Sequence, residues 1–324
     1  MSHAIRFHQT GGPEVLSYEA VSVGEPGPGE VRLRHTAIGI NFIDTYQRGG
    51  LYPVALPSGL GQEAAGVVDA VGSGVENVAV GDRVAYAGGP LGAYSTHRLI
   101  SANLLVKLPD GISDDVAASI MLQGMTVEYL IRRTYTVQPG QTVLWHAAAG
   151  GVGQIAVQWL NALGVKVIGT VGSTAKAELA AKLGCWHVIN YSTENVVERV
   201  RELTGGKGVP VVYDSVGKST FDMSINSLAP RGMFVSFGNA SGAVPPFEPL
   251  LLSQKGSLFF TRPKLGDYIA TRPELEESAQ ALFERVLAGD IKAGPSHRYA
   301  LADVAQAHRD LEGRKTTGSL ILLP

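Results

Sequence analysis

The chain has 324 residues, a formal net charge of −2, 45% hydrophobic and 17% charged residues, 40 glycines and a single cysteine. That length exceeds what one hydrophobic core usually organises, so two domains are expected, and the composition is that of an α/β protein rather than a disordered or fibrous chain. The small net charge without a basic block argues against nucleic acid or an anionic membrane and for a small molecule as partner, while a lone Cys185 excludes an intrachain disulfide and every zinc site needing two or more thiolates.

The opening MSHAIRFHQTGG lacks a signal-peptide core, and no stretch approaches the roughly 18 uninterrupted apolar residues of a membrane span, so a cytoplasmic protein is expected. Through residue 120, segments such as EVRLRHTAIGI, EAAGVVDAV and GDRVAYAG are separated by Gly and Pro clusters (GEPGPGE, RGGLYPVALPSGLG). This is the pattern of a β-rich, partly antiparallel domain with long loops. A helical stretch, DDVAASIMLQGMTVEYLIRR, bridges to a region of different rhythm. There TVLWHA (142–147), VKVIGTV (165–171), CWHVINY (185–191), VPVVYDSV (209–216), GMFVSFG (232–238) and SLFFTRP (257–263) read as strands, with helical patterns between most of them. Near-continuous apolar strands alternating with helices predict a mainly parallel, doubly wound sheet of six strands. The tail offers a helix over 274–288 and a last strand, GSLILLP, with no partner among the six; it is expected to return to the first domain.

HAAAGGVGQIAVQWL (146–160) joins the first of these strands to a helix. A glycine loop in that setting is a dinucleotide site. The spacing is A-x-x-G-x-x-G through Ala147, Gly150 and Gly153, with alanine opening the turn. Gly150 and Gly151 let the backbone approach a pyrophosphate, Gly153 lets helix pack on strand, and the free N–H groups of the first turn, Val152 among them, bind the anion. The plainer alternative is a tight turn that only packs helix on sheet. A phosphate-binding P-loop is ruled out because no Gly-Lys-Ser/Thr follows. An NAD site places an acid about 20 residues on, yet GTVGSTAKAE has none before Glu178. Gly172, Ser173 and Lys176 instead offer an amide, a hydroxyl and a cation, the groups a 2′-phosphate uses, so NADPH is favoured over NADH; a solvated helix position is the alternative for Lys176. His146 reads as a hydrogen-bonded structural histidine, and His187, His297 and His308 show no ligand spacing. Cys185 reads as a buried inert thiol, and Ser95 with His97 lacks the strand-turn-helix setting of a nucleophile.

GLGQEAAGVVDAVGSGVENVAVGDRV (59–84) resembles the signature of the medium-chain dehydrogenase/reductase superfamily, whose zinc alcohol dehydrogenases carry G-H-E; here Gln62 stands in the histidine's place. GINFIDTY (39–46) matches the segment that normally supplies a catalytic cysteine, and Asn41 occupies that position, so no metal is expected in the mechanism. With HAAAGGVG, GTVGS, VVYDSVG and VSFGNASGAV added, the chain resembles over essentially its full length the zinc-independent NADPH:quinone oxidoreductases of zeta-crystallin type.

The resemblance implies a GroES-like catalytic domain (1–124 and 264–324) interrupted by a Rossmann NADPH-binding domain (125–263), a cofactor in the cleft between them, a quinone substrate and a homodimer. Carried over by position, Asn41, Asp44 and Tyr46 face the nicotinamide end and Tyr52 the substrate side, forming the catalytic set. Asn41 and Tyr46 also count as cofactor contacts, with Tyr129, Tyr191, Val216, Phe237, Gly238, Arg262 and Gly318. Set against this, Asn41 and Asp44 as loop caps, Tyr52 as wall packing, and Val216 and Phe237 as core are the plainer readings. The nearest rival activity is NADPH-dependent reduction of activated C=C bonds in enones or enoyl thioesters. Readings from other classes are a crystallin-like structural protein, an RNA binder, which the lack of basic clusters disfavours, and a redox sensor without turnover.

Overall fold

In the computed structural model, which describes residues 1–324, the chain leaves its first unit twice, for one long and one short excursion, and returns to it each time. Unit 1 comprises Met1–Met125, Tyr268–Ala288 and Ala293–Pro324; unit 2 comprises Thr126–Asp267 and Gly289–Lys292.

Unit 1 begins with β1 (Ser2–Phe7), β2 (Ser17–Val21), β3 (Glu30–Ile40), α1 (Phe42–Arg48), β4 (Ser58–Gly59), β5 (Glu63–Val71), β6 (Arg83–Ala87), β7 (His97–Ser101), β8 (Val106–Lys107) and α2 (Asp114–Tyr129), whose last four residues belong to unit 2. Antiparallel pairing dominates: β3 runs against β5 along most of its length and against β7 at its start. Alternation in β3 sends Val31 and Leu33, and beyond an irregularity between His35 and Ala37 also Ile38 and Ile40, into one core with Val68, Val84, Tyr86 and Tyr94.

Beyond a π-helical turn at Leu130–Thr134, unit 2 winds through β9 (Thr142–Trp145), α3 (Gly151–Ala162), β10 (Lys166–Val171), α4 (Thr174–Lys182), β11 (His187–Asn190), α5 (Val196–Leu203), β12 (Val209–Asp214), α6 (Phe221–Ser227), β13 (Leu228–Ser236), α7 (Leu250–Gln254) and β14 (Phe259–Thr261). Its six strands lie in the order β11-β10-β9-β12-β13-β14, every pair parallel, as the apolar runs predict. A parallel sheet sends the loops after its strands to one edge, where ligands of open α/β folds bind.

The chain then forms α8 (Leu265–Tyr268), α9 (Arg272–Leu287), β15 (Pro295–Ala300), α10 (Val304–Glu312) and β16 (Ser319–Leu323). The last strand pairs antiparallel with β3, Leu320–Leu322 against Ile38–Ile40, and so returns to the first unit as its sequence predicts. No helix is long and apolar enough to cross a membrane.

Candidate active site

In unit 1 the feature that stands out is the polarity of α1. Asp44, Thr45, Gln47 and Arg48 are buried while Phe42 is 37% exposed, the reverse of an ordinary surface helix. Buried polar groups need partners: Thr45 donates to the Phe42 carbonyl within the helix (2.7 Å), Asp44 and Arg48 find theirs on other segments, and Gln47 Oε1 and Asp44 Oδ1 are left without one. Asp44 Oδ2 accepts from the Asn41 N–H (2.8 Å), capping the helix, and from the Tyr94 hydroxyl (2.7 Å). Arg48 donates to the Gly11 carbonyl (3.0 Å), to Glu312 (2.7 Å) and to His308 Nδ1 (2.8 Å). A guanidinium only donates, so His308 carries its proton on Nε2 and donates to Tyr94 at 3.1 Å. Burial and the Arg48 cation hold the His308 pKa down to about 3, in keeping with a neutral ring.

Asn41, the last residue before α1, is held from both ends. Its Nδ2 donates to Glu63 Oε2 (2.7 Å) and its Oδ1 accepts from Gln123 Nε2 (3.2 Å). Gln123 Oε1 accepts from Ser319 Oγ (2.8 Å), and Glu63 Oε1 accepts from the Leu122 N–H (2.8 Å). Burial pushes the Glu63 carboxyl up to about 8 and that of Asp44 up to about 7. The outward face of α1 is aromatic: the Phe42 and Tyr46 rings lie 6.4 Å apart, and Tyr46 meets Tyr52 edge-on at 5.4 Å. Tyr46 and Tyr52 therefore meet, with Asn41 at the start of the same helix, whereas Asp44 is fully buried and its bonded oxygen serves the helix cap and Tyr94. Gly318, also in unit 1, has φ +69° just before β16.

The donor set does not fit zinc. Asn41 offers a carboxamide already bonded at both ends, Gln62 another amide, and no group of three or more His, Cys, Asp or Glu side chains gathers anywhere.

In unit 2 the glycine loop follows β9. Ala147 sits at φ +54°, a left-handed conformation that costs a non-glycine residue about 1–2 kcal/mol. Gly150 caps α3 in an extended conformation with no side-chain cap, leaving the first-turn N–H groups of Gly151, Val152 and Gly153 without a side-chain acceptor. A Cβ on Gly153 would stand 2.4 Å from the Ala147 carbonyl oxygen, so only glycine lets α3 approach the loop.

Next along the sheet edge, β10 and β11 pair with Val171 opposite Asn190, which sets Gly172 beside Tyr191. The contact is close: a Cβ on Gly172 would lie 2.4 Å from the Tyr191 hydroxyl. Ser173 caps α4 through its oxygen, accepting from the Lys176 N–H at 3.4 Å, which leaves the hydroxyl proton for another acceptor. Gly172, Ser173, Lys176 and Tyr191 thus form one cluster with no acid among them; Glu178 is exposed further along α4. Asp214, at the end of β12, is buried and binds the Val216 N–H (2.8 Å), the Gly217 N–H (3.0 Å) and Thr220 Oγ1 (2.9 Å), which shapes the loop carrying Val216. Phe237 and Gly238 follow β13 on the same edge, the Phe237 ring 5.6 Å from that of Trp145. Arg262 donates to the Ser236 carbonyl (3.1 Å), and Tyr129 is buried in the last turn of α2.

The histidine reading holds: His146 lies between Thr170 (2.8 Å) and Ser224 (2.9 Å). Ser224 donates to Asp214 at 2.6 Å, so the acid sits on the serine rather than the histidine and all three are buried. This is no nucleophilic triad. Burial likewise pushes the half-buried Cys185 thiol up to about 12, leaving it inert.

Glu63, Gln123, Ser319, Tyr94 and Asp214 were not singled out from sequence. Glu63 and Asp214 had a usable signal, an acid beginning or ending an apolar strand.

Residues 27–110 match the alcohol dehydrogenase GroES-like domain and residues 151–283 the zinc-binding dehydrogenase family. A quinone oxidoreductase of Pseudomonas aeruginosa is 56% identical over 325 residues, 100% of both chains. The chain belongs to the quinone oxidoreductase family. Within that family it is similar to the Escherichia coli quinone oxidoreductase solved in complex with NADPH, with TM-score 0.98 and 52% identity over 99% of this chain and 100% of that one. A 2-haloacrylate reductase from a Burkholderia species is 50% identical over 331 residues, 100% of this chain and 99% of its own.

Two stability predictions follow from the geometry. Ala147→Gly relieves a left-handed alanine and is expected to stabilise the fold by about 0.5–1 kcal/mol, read as a higher midpoint in urea. The raised carboxyls of Asp44 and Glu63 hold protons that the unfolded chain releases near pH 4, so their contribution is complete at low pH and is lost as pH rises toward 7–8. Asp44→Asn, which mimics the protonated acid, is expected to gain on the native protein by on the order of 2–4 kcal/mol between pH 5 and pH 8; parallel denaturation curves at the two pH values check this.

Proposed function

We propose that this protein reduces quinones with NADPH at a site without a metal. The observation that carries the reading is the sheet edge of unit 2, where an uncapped helix start behind a glycine loop adjoins a hydroxyl, a cation and a tyrosine with no acid among them. The N–H groups of Gly151–Gly153 bind the pyrophosphate. Gly172, Ser173, Lys176 and Tyr191 receive the adenosine 2′-phosphate, which an acid at that place would repel. Val216, Phe237 and Gly238 complete the cofactor surface; Tyr129, Arg262 and Gly318 are assigned to it on family resemblance alone. NADPH supplies the hydride from its nicotinamide ring.

In unit 1, Phe42, Tyr46 and Tyr52 form an aromatic cluster, its rings tilted and edge-on to one another, against which a quinone ring packs. The Asn41 amide and the tyrosine hydroxyls donate to oxygens that gain charge in the reaction, and a tyrosine or solvent delivers the proton. Asp44 holds α1 in place and does not touch the reactants. The protein acts in the cytoplasm and as a homodimer; the dimer is supported by β14, an outer strand carrying a Phe259 that is 58% exposed.

A second reading, reduction of an activated C=C bond, is favoured by the identity shared with the 2-haloacrylate reductase. NADPH oxidation against a quinone series and a 2-haloacrylate series, with NADH in parallel, separates the two. Quinone turnover with NADPH is expected, and Lys176→Ala is expected to raise KM for NADPH about tenfold, about 1.4 kcal/mol, while leaving KM for NADH unchanged. Haloacrylate reduction without quinone turnover installs the second reading, and equal use of NADH overturns the 2′-phosphate assignment.

A further inference from the structure

We propose that Glu63 is a positioning residue that fixes which way round the Asn41 carboxamide sits, through a hydrogen-bonded chain from Ser319 to Gln123 to Asn41 to Glu63. The proposal rests on the reading above that Asn41 belongs to the reacting site.

Every link of the chain points the same way. Ser319 Oγ donates to Gln123 Oε1 (2.8 Å), Gln123 Nε2 donates to Asn41 Oδ1 (3.2 Å), and Asn41 Nδ2 donates to Glu63 Oε2 (2.7 Å). Turning over one amide would oppose two N–H groups or two carbonyl oxygens unless its neighbours turned with it. All four residues are buried, Glu63 completely, so water does not substitute for a lost partner.

The direction has to be set at one end. Ser319 cannot set it, because a hydroxyl donates or accepts equally well. Glu63 can. The Leu122 N–H holds its Oε1 at 2.8 Å, which leaves Oε2 for Asn41. Ionised, that oxygen only accepts. Protonated, it keeps a lone pair for Asn41 when the acid proton turns to another acceptor, and the space left by the missing side chain of Gly39 borders one. There Glu63 Oε2 and the Ala118 carbonyl oxygen lie 2.2 and 2.4 Å from the point a Cβ would occupy, which puts a second acceptor on the same small space as the carboxyl.

Asn41 Nδ2 uses one N–H on Glu63 and keeps a second. Reversed, the amide would present an oxygen in its place. Glu63 therefore decides whether the site offers an oxygen of the acceptor a donor, which stabilises developing negative charge, or a lone pair, which opposes it.

Glu63→Gln isolates this role. A glutamine keeps an oxygen for the Leu122 N–H and replaces the oxygen that receives Asn41 Nδ2 by an amide nitrogen that only donates. In the native background kcat/KM for the quinone is expected to fall about tenfold or more. In an Asn41→Ala background the same substitution is expected to cost less than about twofold, since its effect passes through Asn41. Equal losses in the two backgrounds would show a merely structural role and overturn the proposal. A second readout needs no turnover: the side-chain amide signals of Asn41 and Gln123 in nitrogen-15 spectra are expected to move together in Glu63→Gln, and unmoved signals also overturn it. Should the native protein reduce no acceptor, the proposed function fails while the amide signals still decide the role of Glu63. If Glu63→Gln does not fold, Glu63→Asp, which withdraws the acceptor by one methylene, takes its place with the same expected pattern.

Discussion

A carboxyl group shut away from water must find donors or take up a proton, and unit 1 is arranged around two that face this constraint. Glu63 and Asp44 are completely buried, and both bond to Asn41 where the strand ends and the helix starts. Meeting their needs draws in Tyr94, His308 and Arg48 on one side and Gln123, Leu122 and Ser319 on the other, which ties β3, β5, α1, α2, α10 and β16 to one point. The outward aromatic face of α1 follows from the same cause. With its polar side chains turned inward, the helix presents Phe42 and Tyr46, with Tyr52 beside them. Where zinc-dependent relatives by resemblance use a metal held by cysteine and histidine, this chain has two amides and a network of fixed hydrogen bonds. Preorganised dipoles of that kind stabilise charge without moving during the reaction.

Unit 2 solves a different problem, the close approach of backbone to an anion. Its parallel sheet gathers the loops that follow its strands at one edge, and glycine occurs there where a Cβ would strike a backbone carbonyl or the tyrosine hydroxyl, as at Gly153, Gly172 and Gly238. The left-handed Ala147 shows that the turn tolerates a methyl group at a cost, which is why alanine can open a loop more often opened by glycine. The buried Asp214 sets the Ser215–Thr220 loop in the way Asp44 sets α1, through backbone N–H groups rather than a partner cation.

Most of unit 2 was legible because its determinants are local. Apolar runs, helix-ending glycines and the loop at 146–153 sit in sequence order, and the six strands fold from them with boundaries shifted by only a few residues, as at 187–190. Unit 1 was less legible because its determinants are remote. The contacts of Asn41 come from positions 22 and 82 residues away, and Gln123 meets Ser319 across 196. The inside-out polarity of α1 could not be read from a seven-residue helix whose burial is decided by residues near 94 and 308. His308 shows the limit most plainly: it lacks ligand spacing, which was read correctly, yet it anchors a network that no spacing reveals.

The central claim is that hydride passes to the acceptor in a site of amides, hydroxyls and buried acids with no metal taking part. The most direct measurement follows the oxidation of NADPH deuterated at the transferring position, by protein treated with a strong chelator and shown to be metal-free, with a quinone as acceptor. A primary isotope effect and undiminished turnover are expected. Turnover lost on chelation and restored by zinc would contradict a site built on Asn41 and Glu63.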